Sequence, residues 1–73
     1  MSESEISNEA KIAIIKEEIE DFKKAQYTLE IRYKVNKKID APEAVLKQIS
    51  ENLVKNELAI AAYEEELKSL TSP

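Results

Sequence analysis

The chain contains no cysteine, no histidine and no glycine, and only two of its 73 residues are proline. Without cysteine there is no disulfide, and without cysteine and histidine almost every zinc, copper or haem site is excluded. The absence of glycine argues against tight hairpin turns, glycine-rich phosphate cradles and β-architecture in general. No run of about 20 apolar residues is present, so a membrane span is not expected. The first residues are acidic rather than basic and apolar, which does not fit a secretory signal. A cytoplasmic location is the expectation.

Abundance points the same way. Charged residues make up 36% of the chain and hydrophobic residues 42%, with a formal net charge of −4. Glu, Lys, Ile, Leu and Ala dominate, and most of these favour helix. That balance is typical of helical bundles and far from the disordered class. This composition also fits an AT-rich bacterial or phage genome. At this length the chain has room for one domain, residues 1–73, with a thin core. Folding buries about 60% of the surface that the unfolded chain exposes. With disulfides and metals excluded, oligomerisation or very regular helix packing must stabilise it.

Pro42 divides the chain. Asp40-Ala41-Pro42-Glu43 reads as a helix start, with Asp40 as the cap, Pro42 in the first turn and Glu43 completing a capping-box-like pair. The expected layout is helix 1 over residues 6–38, a turn at 38–40 and helix 2 over 41–70.

Stepping alternately by three and four, helix 1 presents Ile12, Ile15, Ile19, Phe22, Gln26, Leu29, Tyr33 and Asn36. Helix 2 presents Leu46, Ile49, Leu53, Asn56, Ile60, Tyr63, Leu67 and Leu70. These are two sustained heptad seams. Folding the chain about residue 39 pairs Ile12 with Leu67, Ile15 with Tyr63 and Ile19 with Ile60, and continues to Tyr33 with Leu46. The expected fold class is therefore all-α, an antiparallel two-helix hairpin of coiled-coil type that dimerises into a four-helix bundle. Residues 27–35 alternate apolar and polar as a strand would. The Glu30/Lys34 pair and the lack of any partner strand favour helix there.

The seams leave apolar residues over. Tyr27, Ile31 and Val35 form one ridge, and Val54 and Leu58 with Ala61 or Ala62 form another. Ridges of three are unusual on helices this thin, and Tyr27, Ile31, Val35, Val54 and Leu58 are the candidate self-interface or partner-interface residues. Gln26 and Asn56 interrupt the seams in neighbouring layers, where polar residues set register and oligomer state.

Charge is segregated along the hairpin. Residues 23–55 carry a net of +4, residues 1–22 a net of −5 and residues 56–73 a net of −3. Lys34, Lys37, Lys38 and Lys47 at the turn end are the candidate anion-binding residues.

No catalytic residues, cofactor-binding residues or metal ligands are expected, and no cofactor. There is no general-base histidine and no cysteine nucleophile, and adjacent glutamates such as Glu64, Glu65 and Glu66 fan outward into solvent. The expected function is non-enzymatic: a small regulator, inhibitor or adaptor that binds itself and a protein partner through helical faces. The alternative is a bundle that binds nucleic acid, a nucleotide or another anionic ligand at its basic turn end. In size and layout the chain resembles the small hairpin-dimer RNA-binding regulators of plasmid copy number. The likeness is architectural and carries no binding residue over.

Overall fold

In a computed structural model, residues 6–72 are described, and they form two helices joined by a short connection. Helix α1 is Asn8–Lys38 and helix α2 is Glu43–Thr71, packed against each other as a hairpin. The residues with strand-like alternation, 27–35, lie inside α1. The chain measures 54 × 23 × 14 Å with a radius of gyration of 16.7 Å. A globular chain of this length would have a radius near 11 Å. The shape is a rod, because each helix has only one neighbour.

Local chemistry explains the ends of α1. Ser7 caps it, its hydroxyl oxygen accepting from the Ala10 amide at 3.1 Å. At the other end the Asp40 amide donates to the Lys37 carbonyl at 3.3 Å, and the Ala41 amide donates to the Asn36 carbonyl at 2.9 Å. Those two bonds form a Schellman motif, which needs a left-handed residue between the cap and the next element. Glycine usually fills that position. Here Asp40 fills it at φ 57°.

The expected role of Asp40 as the cap of helix 2 is thereby overturned. Its backbone serves the end of α1, and α2 starts behind Pro42 with no side-chain cap bond. Glu43 becomes the first helical residue, where its charge complements the helix dipole but cannot close a capping box. Because aspartate bears a Cβ in left-handed backbone, Asp40→Gly should raise stability by about 0.5–1 kcal/mol. Thermal denaturation of the two chains would show it, and a fall in midpoint would refute the strain argument.

All sixteen seam residues are buried or half-buried. Only Ile19 and Ile49 reach 8% exposure. The core is thus a single stripe, with solvent on both sides of it. The ring centroids of Phe22 and Tyr63 lie 5.5 Å apart at 38°, an arrangement worth about 0.5–1.5 kcal/mol beyond area burial.

Cross-helix hydrogen bonds show the register. Asn56 Nδ2 donates to the Phe22 carbonyl at 2.7 Å and, more weakly, to Gln26 Oε1 at 3.5 Å. A helical carbonyl points one turn ahead of its own residue, so both bonds place Asn56 level with Gln26. The expected layers therefore slip by one step. Gln26 faces Asn56 in the same layer, and the same spacing brings Ile19 level with Tyr63, Phe22 with Ile60, and Leu29 with Leu53. The cause is the connection, in which four residues from Ile39 to Pro42 are non-helical and move the centre from residue 39 to about residue 41. Asn36, the last seam residue of α1, turns back on its own helix and donates to the Arg32 carbonyl at 2.7 Å.

Candidate functional site

The expected interface residues are all on the surface. Tyr27 is 64% exposed, Ile31 39%, Val35 49%, Val54 53% and Leu58 66%. They do not form one patch. Tyr27 borders a shallow groove between the helices with Lys23, Gln26, Glu30, Glu57 and Ile60. Gln26 Nε2 donates to Glu57 Oε2 at 3.4 Å across the floor of that groove. Val54 lines a second groove nearer the turn. Leu58 sits on α2 alone, in a depression with Ala61, Ala62, Glu64, Glu65 and Lys68. Ile31 and Val35 project from α1 and line neither of these. The helical repeat of 3.6 residues carries the line Tyr27, Ile31, Val35 obliquely across the outer surface of α1.

Sequence reasoning passed over four further exposed apolar residues. Ile6 is 48% exposed, Ile14 52%, Ile39 67% and Val45 39%. The positions of Ile14 and Val45 off the seam could have marked them. Ile6 precedes α1 and Ile39 belongs to the connection, where the helical repeat gives no guidance.

Among the lysines proposed for anion binding, Lys37 and Lys47 line the same turn-end groove, with Tyr33, Lys55, Glu43 and Glu51. Lys34 and Lys38 are exposed but do not line it. Lys37 Nζ lies 5.8 Å from the centroid of the Tyr33 ring, a distance at which the ring face attracts the ammonium. Lys37 and Lys38 also occupy the last turn of α1, where cations complement the helix dipole. With Glu43 and Glu51 set among Lys37, Lys47 and Lys55, the groove carries charges of both signs and a small positive excess.

Among the described residues no group of three or more acidic, histidine or cysteine side chains is arranged to hold a metal ion. Among them, too, no helix is long and apolar enough to cross a membrane. Comparison of the chain with protein-family models, with curated proteins and with solved structures finds no match.

Proposed function

We propose that this chain is a non-enzymatic interaction protein, a small regulator, inhibitor or adaptor that works as a homo-oligomer through its helical faces. The observation that carries this reading is the single-stripe core. The hairpin exposes 5788 Å², whereas a globular monomer of its mass would expose about 4,600 Å². A stable two-fold dimer buries about 800 Å² on each partner. A second copy against the exposed apolar residues would bring the surface close to the globular figure and build a four-helix assembly.

The mixed charge of the turn-end groove favours a protein partner over an anionic one. Anion sites concentrate cations, and here Glu43 and Glu51 interrupt them. The overall net charge of −4 acts in the same direction.

Light scattering at several protein concentrations tests the proposal. The expected mass is at least twice the 8.3 kDa of one chain. Substituting Ile31→Glu and Leu58→Glu together should return the protein to monomer, while reversing the charge of Lys37 and Lys47 should leave protein-partner binding in place. A monomer at every concentration would remove the homo-oligomeric reading.

A further inference from the structure

A second three-and-four stripe runs along the outer surface of α1, its centre line turned away from α2 and Tyr27 at the edge that borders the groove between the helices. It comprises Glu17, Glu20, Lys24, Tyr27, Ile31, Lys34 and Lys38, and every one of them is exposed. The stripe is ordered by chemistry. Two carboxylates stand at its N-terminal end, Lys24, an aromatic and a β-branched residue lie near its middle, and two ammonium groups close its C-terminal end. At 100° per residue it sits roughly 150° around the helix from the buried seam.

From this pattern we propose that α1 packs against α1 of a second copy, antiparallel, about a two-fold axis at Tyr27. The inference rests on the homo-oligomeric reading above and specifies its interface. Tyr27 is the fourth of the seven positions, so an antiparallel partner repeats the stripe in reverse. Tyr27 then faces Tyr27 of the second copy, and the stem of Lys24 covers its Ile31. Glu20 faces Lys34 of the second copy, and Glu17 faces its Lys38. By symmetry every contact except the one between the two Tyr27 residues on the axis occurs twice. A parallel partner would set Glu17, Glu20, Lys34 and Lys38 each against its own like charge. Like charges in register are the usual device by which coiled coils reject an orientation.

The same arrangement pairs the ends of the whole molecule. Among the described residues, the turn half, residues 23–55, carries +4, and the open half carries nine acidic against three basic residues, a net of −6. Lying antiparallel, each basic turn end runs beside an acidic open end. The α2 residues Val54 and Leu58 lie outside this seam and take no part in it.

A charge-swap series read by light scattering or sedimentation tests the inference, with far-UV circular dichroism confirming that each variant is helical. Glu20→Lys and Lys34→Glu should each weaken dimerisation by about tenfold, and the double variant Glu20→Lys/Lys34→Glu should recover it. Ile31→Glu should break the dimer, and Leu58→Glu alone should not. A nitroxide at Lys38→Cys in this cysteine-free chain should report a separation of about 30–35 Å across the dimer. A parallel pair would bring the labels within about 20 Å. A dimer whose double variant is as weak as the singles, or whose labels are close, overturns the antiparallel seam and leaves the homo-oligomeric reading standing. A wild-type chain that is monomeric throughout overturns both.

Discussion

Alanine at Ile49 is expected to remove most of this protein's folding stability. Ile49 and Ile19 are its most buried apolar residues, each 8% exposed. Truncating a buried isoleucine removes the transfer energy of its lost methyl and methylene groups and leaves unfilled space, together about 2–4 kcal/mol. A single core in a chain this short supplies only about 3–5 kcal/mol. One substitution therefore consumes most of the margin, and the melting midpoint followed by far-UV circular dichroism should fall by about 8–32 °C. Ile49→Val should cost about 1 kcal/mol and leave the hairpin folded. Leu58→Ala, at an exposed site, should shift stability by no more than about 0.5 kcal/mol. If Ile49→Ala melted within a few degrees of the parent chain, the seam would not be what holds the hairpin together.

The polar layer gives the second large effect, in the opposite direction. Gln26 and Asn56 face each other in the seam and hydrogen-bond across it, one of the bonds running on to the Phe22 carbonyl. Neither is fully buried. Replacing both by leucine removes donor and acceptor together and leaves no buried polar group without a partner. It also extends the apolar stripe through the middle of the rod. The expected gain is about 1–2 kcal/mol, or about 4–16 °C in melting midpoint for a domain of this size.

The same change should cost definition. With the polar pair gone, no layer distinguishes the native alignment from one slipped by a heptad, and the mass distribution in light scattering should broaden. A double variant that melts lower than the parent would mean that the amide network stabilises the hairpin outright. A double variant that melts higher and stays homogeneous would mean that the connection alone sets the register.

Much of this architecture could be read from residue order. Period and punctuation suffice for two helices divided at Pro42, because a three-and-four apolar repeat has one low-energy backbone. All sixteen residues named for the seam are buried or half-buried. All five residues named as interface candidates are exposed. Burial here follows from helical phase alone, since each helix has one neighbour and therefore one inside.

Alignment between the helices did not follow in that way. Heptad seams pair equally well after a slip of one layer, and the choice depended on how many residues the connection consumes. Asp40 in left-handed backbone and Pro42 at the start of α2 made it four residues long. That outcome lies outside any periodic pattern, because it is set by the carbonyl bonds that close α1. The same holds for the surface. Residue order showed that Tyr27, Ile31 and Val35 were surplus to the seam and that Lys37 and Lys47 were near the turn. Only the folded hairpin placed Lys37 and Lys47 in one groove with Glu43 and Glu51, and separated Leu58 from Tyr27. Local sequence determines which face of each helix is buried. The distances between faces of different helices depend on the length of the link that joins them, and that was decided in three dimensions.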